Sequence, residues 1–416
     1  MLRWNAFWQR LKARWPHYPR QFWLLVGGMF LSSAGTSMVW PFLALYVSRR
    51  LQVPLAQVGF LITLQAAAGV VGTILAGPVV DRWGRKTGMI LSLLGMGLGY
   101  LGLAFARALP QFALAMGVGG LFAPAYRIGG DAMTADLIPP QGRDEAYALM
   151  RTASNAGISI GPAVGGWLAV VSYRWAFFAA TGSLLAYVLL LAAGARETRP
   201  TTAPTTAGAS NDLGQAWQVL RRDGRLWAFL LPMLLTWMTA GLMWIFLGVY
   251  MRDQFGLGEN LYGLIITTNA VMVTFLQYPV TAWAQRYSPR WRMVAGSLIY
   301  ALAVGGVMWG RTFWHFWSAM VVMTVGEMLL VPTASTWVAN LAPPHLRGSY
   351  MATLSFMWAV GAGVIAPLGG WLNDQFNPRA PWLFGALLGL TGALAFAWQR
   401  PPTPTGPQTP TPNHHT

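Results

Sequence analysis

The feature that most constrains this chain is a series of apolar stretches, about 20 residues each, that recurs along its whole length. A hydrocarbon core about 30 Å thick needs about 20 helical residues, whereas membrane-crossing β-strands are about half as long. The chain is therefore predicted to be an all-α membrane protein. Twelve transmembrane helices are expected, near residues 22–47, 57–80, 87–107, 110–135, 146–171, 175–194, 227–251, 260–284, 292–310, 314–340, 348–372 and 381–398.

Composition supports a lipid-facing exterior and excludes several kinds of site. Only 10% of the 416 residues are charged, against roughly 25% in soluble domains. The absence of cysteine rules out disulfides, thiolate catalysis and Cys-ligated metals, and the terminal His414-His415 pair is too short for a convincing metal site. The net charge of +16 is divided into short clusters between apolar runs, which indicates a bilayer partner and no nucleic acid.

The distribution of Lys and Arg predicts the orientation of the chain. With both termini in the cytoplasm, the cytoplasmic segments contain 19 of these residues and the outer loops contain 7, as the positive-inside rule requires. The excess of Arg over Lys, 26 to 2, is typical of a GC-rich bacterial genome. We therefore expect a multi-pass protein of the bacterial cytoplasmic (inner) membrane.

Three segments are predicted to lie outside the membrane. Residues 1–20 lack the apolar core of a cleavable signal, and their basic, Trp-bearing pattern favours a helix in the cytoplasmic interface. Residues 197–225 are predicted to form a cytoplasmic linker that contains a short amphipathic helix near 213–222. The Pro/Thr-rich residues 399–416 are predicted to be a disordered cytoplasmic tail.

The two halves of the sequence are related to each other. The pattern around Asp136 recurs around Asn340, and the Gly-Gly-Trp-Leu sequence at 165–168 recurs at 369–372, both at an offset of 204 residues. We therefore expect two pseudo-symmetric six-helix bundles, at 21–196 and 226–398. Such repeated halves typically expose a central site to each side of the membrane in turn, although a duplicated scaffold or receptor is an alternative.

The loop between the second and third predicted helices has the pattern G-x3-D-R-x-G-R-K, with its defined residues at Gly77, Asp81, Arg82, Gly84, Arg85 and Lys86. Gly77 would allow close helix approach and Gly84 a tight turn. Asp81 could accept hydrogen bonds from the first N–H groups of the third helix. Arg85 could pair with an acid on a neighbouring helix, and Asp136 is the candidate.

This loop resembles the signature of the major facilitator superfamily at every defined position, and the resemblance implies that superfamily's twelve-span fold. In the second half, Gln285 and Asn340 replace the two acids. We therefore predict that the motif and Asp136 form a cytoplasmic gate in the first half only. The alternative is that these charges only set the topology.

A second pattern lies in the fifth predicted helix, at Gly157, Gly161, Pro162, Gly165 and Gly166. It resembles the glycine-proline motif of the twelve-span drug:proton antiporters, and its small residues would permit close packing. Two positions depart from those relatives. Ala148 replaces the first glycine of the longer motif, and Ala113 replaces an arginine common in the fourth helix, so any role of that arginine in proton coupling must be absent or moved.

Charged residues at membrane depth are costly and are therefore functional candidates. Glu327 lies 13 residues before Asn340, about 20 Å along a helix, and we predict that it carries the coupling proton or binds a cationic cargo. A structural hydrogen bond is the alternative. Asp131 ranks second as a proton carrier. Arg127 and Arg151 are predicted to be buried cations, with Asp131 one helical turn from Arg127.

The resemblance also suggests a cargo cavity, because spans 1, 4, 7 and 10 line the cavity in that superfamily. The aromatic candidates are Trp40 and Tyr46 on span 1 and Trp237, Trp244 and Tyr250 on span 7. Aromatic walls suit lipophilic and cationic solutes. Contact with lipid is the alternative for each of them.

These observations predict a secondary transporter that is not an enzyme and works by alternating access. The leading hypothesis is proton-coupled efflux of lipophilic or cationic drug-like compounds by a monomer, with the proton as coupling ion and no cofactor. A carrier of one metabolite, such as a sugar, an amphipathic lipid or a siderophore, is the first alternative, and a non-transporting membrane sensor is the second. The chain has no P-loop, so it does not support ATP-driven pumping.

Overall fold

The computed structural model describes residues 18–139, 142–198, 219–343 and 346–399. The regular structure in these ranges is helical. Most of the predicted interfacial helix, the central linker and the terminal tail lie outside the described residues.

Twelve spans in the described ranges are long and apolar enough to cross a membrane. Span 1 consists of the helix Arg20–Ser37, a 3-10 turn at Trp40–Phe42 and the helix Leu43–Leu51. Spans 2 to 12 are Leu55–Trp83, Arg85–Phe105, Leu109–Leu137, Arg143–Val171, Tyr173–Gly194, Gly224–Phe255, Glu259–Ala284, Pro289–Gly306, Phe313–Leu341, Arg347–Gln375 and Ala380–Ala397. The predicted fold class is confirmed, and several helices extend past the predicted apolar stretches by a few polar residues.

Spans 1–6 form the first half of the molecule and spans 7–12 form the second half. The halves meet along span 2 against span 11 and span 5 against span 8. We call the end that carries the 77–86 loop the motif end, and the opposite end, where span 1 turns into span 2, the far end. Both interfaces are formed by long helices that run between the motif end and the far end.

The two interfaces between the halves repeat each other at the offset found in the sequence. At Gly59 an added Cβ would overlap the carbonyl oxygen of Ala366, and at Gly263 it would overlap that of Pro162. Gly263 follows Gly59 by 204 residues, and Ala366 follows Pro162 by the same number. The same offset relates two further contacts near the far end: Gly166 with Glu259, and Gly370 with Leu55. The duplication is therefore preserved in backbone-to-backbone packing.

Candidate functional site

The side chain of Arg85 lies between the two acids that the sequence suggested. Its Nη1 is 2.8 Å from Asp81 Oδ1, and its Nε is 3.4 Å from Asp136 Oδ2. These residues come from spans 2, 3 and 4, so the cluster connects three helices of the first half. Arg85 is largely buried, whereas the Asp81 side chain is 68% exposed, which leaves Asp81 accessible to another group.

The N-terminus of span 3 is capped by a residue that the sequence analysis missed. The Glu197 carboxylate accepts hydrogen bonds from the backbone N–H of Arg85 at 2.8 Å and of Lys86 at 3.1 Å. The prediction that Asp81 forms this cap is therefore wrong. Gly84 has φ of +99°, and an added Cβ there would meet the Glu197 carboxylate, so both the turn and the cap require glycine.

The end of span 6 and the motif loop support each other. Lys86 Nζ donates to the carbonyl oxygens of Ala192 and Ala195 at 3.0 and 2.8 Å, which places a cation at a helix C-terminus, where it is favourable. Thr198 donates to Asp136 at 2.9 Å. An acid just after a predicted helix was the signal that could have identified Glu197.

Two other residues of the motif have more open surroundings. Nothing lies within 4 Å of a Cβ built at Gly77, so the expected close helix approach is not made in this structure. Arg82 is exposed, as are Gln285 and Asn340, the second-half counterparts of the two acids. Within the described residues, the cluster of Arg85 with two acids therefore has one copy, in the first half.

The glycine-proline motif of span 5 packs against two other helices. Added Cβ atoms at Gly157, Gly161 and Gly165 would meet backbone or serine atoms of span 1 and its following turn. Pro162 and Gly166 instead face span 8, across the interface between the halves. The motif thus allows span 5 to lie close to both neighbours at once.

Glu327 belongs to a polar cluster within the second half. Asn269 Nδ2, from span 8, lies 2.8 Å from Glu327 Oε2 and 2.9 Å from Thr324 Oγ1. Asn269 is buried and Glu327 is half-buried. The sequence analysis missed Asn269, although an amide within an apolar span was a usable signal. The described ranges contain no group of three or more acid or His side chains able to hold a metal ion.

The predicted buried cations are not buried. Arg127, Arg151 and Asp131 are all exposed. A charge at membrane depth is tolerated where it faces a water-filled space, and helical spacing alone cannot say which face of a helix that space adjoins. Tyr147 donates to the Asp131 backbone carbonyl oxygen at 3.0 Å.

The five aromatic residues proposed for the cargo cavity separate into two groups. Tyr46 and Tyr250 are buried, and each packs against aromatic rings of its own half. Tyr46 donates to the Leu103 carbonyl, and Tyr250 packs on other aromatic rings. Their assignment to the cargo cavity is therefore wrong, since these two side chains pack against residues of their own halves.

The three tryptophans differ in burial, since Trp40 is exposed, Trp244 is half-buried and Trp237 is buried. Trp40 and Trp244 contact each other across the two halves, with ring centroids 5.5 Å apart, and Trp40 is 43% exposed. Trp237 packs edge-on against Trp358 at 5.7 Å. The pair Trp40–Trp244 forms an aromatic contact just inside the far end.

At the far end, an ion pair joins the two halves. The Glu259 carboxylate, at the start of span 8, accepts from Arg49 at 3.3 Å and from the Tyr173 hydroxyl at 2.8 Å. Glu259 is buried, with only 6% of its surface exposed. Glu259 was not among the residues predicted from the sequence, because it lies just before the predicted span 260–284 and outside the membrane core.

A second acid connects span 11 to span 2. Asp374 accepts from the backbone N–H groups of Leu55 and Ala56 at 3.1 and 2.9 Å, so an acid of one half caps a helix of the other. Farther in, Thr63 donates to the Gly363 carbonyl at 2.5 Å. The far end is therefore closed by polar contacts between the halves.

A family model described as "Major Facilitator Superfamily" matches residues 25–261 and 233–415. The chain is 26% identical over 388 residues to "Multidrug resistance protein MdtH" of Escherichia coli (strain SE11), covering 91% of this chain and 94% of that protein. It is 26% identical over 377 residues to a "Na(+), Li(+), K(+)/H(+) antiporter" of Planococcus maritimus, covering 83% and 87%. An "Uncharacterized MFS-type transporter YttB" of Bacillus subtilis (strain 168) is 27% identical over 375 residues, covering 87% and 90%.

Solved structures have the same fold. A point mutant of the nucleoside transporter NupG superposes with a TM-score of 0.81 at 14% identity, covering 91% of this chain and 99% of that one. A D-xylose-proton symporter superposes with a TM-score of 0.73 at 14% identity, covering 92% and 97%. The family model and the curated relatives match both halves of the sequence. The chain therefore belongs to the major facilitator superfamily and is a multi-pass secondary transporter of small molecules, not an enzyme.

Proposed function

We propose that this transporter exports lipophilic, often cationic compounds in exchange for protons, as a monomer in the bacterial cytoplasmic membrane with both termini in the cytoplasm. The observation that carries the proposal is the carboxylate of Glu327 inside a membrane span, held by Asn269 at 2.8 Å. The similarity to a multidrug resistance protein over 91% of the chain supports the cargo class.

The Glu327 carboxylate can bind either a cationic cargo or a proton. When deprotonated, its carboxylate offers a negative charge at membrane depth, which attracts a cationic cargo strongly because few competing water dipoles are present. When it takes up a proton, the charge is lost and the cargo is released. Asn269 Nδ2 donates a hydrogen bond to the carboxylate at 2.8 Å, so Asn269 is a positioning residue for this exchange.

The aromatic contacts suit the apolar part of such a cargo. Trp40 is partly exposed, and Trp244 and Trp237 lie on span 7. Indole faces attract cations and stack on planar rings. A cavity with these walls and one acid would select by charge and lipophilicity more than by hydrogen-bond pattern, which is consistent with a broad cargo range.

Alternating access supplies the order of events. In this structure the far end is closed by contacts of Glu259 and Asp374 with the first half, so cargo would enter from the motif end. We propose that in the opposite state the motif end closes and that the exposed Asp81 then contacts the second half. Arg85 and Asp136 would hold Asp81 in position.

The test is ethidium flux in proteoliposomes under an imposed pH gradient, with Glu327→Gln compared with wild type and Asp131→Asn. We expect the gradient to drive ethidium in wild type and Asp131→Asn, and at least a tenfold loss in Glu327→Gln, because the amide cannot exchange a proton. Unchanged flux in Glu327→Gln together with loss in Asp131→Asn would move the proton to Asp131. No ethidium flux in wild type would reject drug export.

Exchange of monovalent cations for protons is a second candidate function. The relative from Planococcus maritimus is named for Na(+), Li(+) and K(+) exchange against H(+), and the Glu327 carboxylate and the Thr324 hydroxyl place two oxygen atoms around the Asn269 amide nitrogen. Hard cations prefer such oxygen ligands. Gradient-driven Na⁺ uptake without ethidium flux in the same vesicles would favour this function, and absence of both would favour a carrier of one metabolite.

A further inference from the structure

A cavity of about 330 Å³ opens at the far end, between the end of span 1 and the turn that joins spans 5 and 6. Its volume corresponds to about ten water molecules, enough for a phosphodiester group. The lining residues that matter here are Tyr46, Arg49, Arg50, Ser172, Tyr173 and Arg174. Arg49 and Tyr173 also contact Glu259 at the far end. The other lining residues take no part in that contact or in the proposed cargo path.

The charge in this cavity is strongly positive. Arg49 is paired with Glu259, but no carboxylate among the described residues lies within ion-pair distance of Arg50 or Arg174. Three guanidinium groups against one carboxylate leave a net charge of +2. Arg guanidinium groups match the oxygen geometry of phosphate, so the cavity suits a phosphate-bearing anion.

The surface around the cavity is apolar. Val170 and Val171, which also line it, are 53% and 76% exposed, and Trp167 and Trp175 on either side are 61% and 56% exposed. Trp residues on membrane proteins concentrate at the level of the lipid headgroups. A ligand with a phosphate in the cavity and hydrocarbon chains over this apolar surface would satisfy both parts of the site.

We propose that this cavity binds the phosphate of an anionic phospholipid. The inference is independent of the cargo and of the direction of transport. Arg50 and Arg174 would contact the phosphate, and the acyl chains would lie against Val170, Val171 and the neighbouring tryptophans. Because Arg49 belongs to both the cavity and the far-end ion pair, the lipid would lie beside the contact that closes the far end.

The test measures lipid binding to the purified full-length protein by native mass spectrometry, and by titration with dioctanoylphosphatidylglycerol, dioctanoylphosphatidylcholine and inorganic phosphate. The test variant is the double substitution Arg50→Gln and Arg174→Gln. The matched control is Arg107→Gln with Arg311→Gln, which removes two exposed far-end arginines outside the cavity. A Lys variant, Arg50→Lys with Arg174→Lys, keeps the charge and checks that folding is intact.

We expect phosphatidylglycerol to bind more tightly than phosphatidylcholine. The Gln variant should weaken it about thirtyfold, on the order of fivefold for each Arg, while the control and the Lys variant bind within about threefold of wild type. Equal binding of the two lipids, or equal losses in the test and control variants, would overturn the proposal. Inorganic phosphate binding as tightly as the lipid would also overturn it, by making free phosphate the ligand.

Discussion

The two ends of this transporter use acidic residues in different ways. At the motif end, Asp81, Asp136 and Glu197 all contact residues of their own half. At the far end, Glu259 and Asp374 contact residues of the other half. The first arrangement strengthens one half as a rigid unit, whereas the second holds the two halves together.

This difference indicates that the two sets of polar contacts have different roles in alternating access. A rigid half can rock as a body only if its internal contacts survive both states, and the contacts between halves must break in one of them. The motif-end cluster has the first property and the far-end contacts have the second. Changes at the two ends should therefore affect transport to different degrees.

The largest effect should come from preventing the far end from opening. A disulfide between Thr63→Cys and Gly363→Cys should nearly abolish transport, because a Cβ at position 363 would lie 3.6 Å from the Thr63 side chain, within reach of a disulfide. The natural chain has no cysteine, so oxidation can act only at the introduced pair. Cargo flux before and after reduction measures the effect.

The two single-cysteine variants are the controls, and each should keep its flux under oxidation. Reduction should restore transport in the double variant. If the cross-linked protein transports as fast as the reduced one, the far end does not open during the cycle. That result would refute the idea that the far-end contacts break during transport.

A smaller effect should follow from weakening one contact between the halves. Glu259→Gln removes the charge that Arg49 contacts, and we expect a cost of about 1 kcal/mol because Arg49 is solvent-exposed. That cost corresponds to about a fivefold shift towards the state with the far end open. The labelling rate of a single cysteine at Thr63 by a membrane-impermeant maleimide reports the shift.

Asp253→Asn is the matched control for Glu259→Gln. Asp253 is also a far-end acid, but its carboxylate pairs with its neighbour Arg252 at 2.6 Å, within one half, and Arg252 reaches the first half only by a long 3.5 Å contact with the Leu45 carbonyl oxygen. Its replacement should leave the labelling rate unchanged. An equal increase in both variants would mean that far-end charge, and not the contact between the halves, controls opening.

The smallest effect should separate two acids at the motif end. Glu197→Gln weakens the cap of span 3, so the free energy of unfolding should fall by about 1 kcal/mol. Transport should fall only as far as the fraction of folded protein falls. Asp81→Asn should leave stability nearly unchanged, because Asp81 is 68% exposed, but should slow transport several-fold. Thermal unfolding and flux are measured on both variants, and normal transport by Asp81→Asn would refute the proposed contact of Asp81 with the second half.

The sequence was sufficient for the fold because apolar length and a repeated offset determine how many helices form and how they pair. It was sufficient for the clustering of Arg85 with Asp81 in the 77–86 loop for a similar reason, since residues close in sequence stay close around one turn, but it was not sufficient for the cap of span 3. Arg85 and Asp81 are four residues apart and meet across that turn at 2.8 Å. Local spacing therefore carried these predictions.

Sequence reasoning failed where a contact depended on which face of a helix turns inward. Tyr46 and Tyr250 pack inside their halves, and Arg127 and Arg151 are exposed, because helix rotation follows from packing against neighbours that the sequence does not identify. Glu259 was missed for a related reason. Its partners Arg49 and Tyr173 are brought together only when two distant helix ends meet.

The glycine contacts between the halves have a consequence for the course of the opening motion. At Gly59 and Gly263 the helices touch through their backbones, with no side chain between them that could change rotamer and fill a partial gap. The two contacts are equivalent under the 204-residue offset that relates the two halves. We therefore expect both to separate in a single cooperative step, so that the far end behaves as a switch with two positions and not as a hinge that opens by degrees.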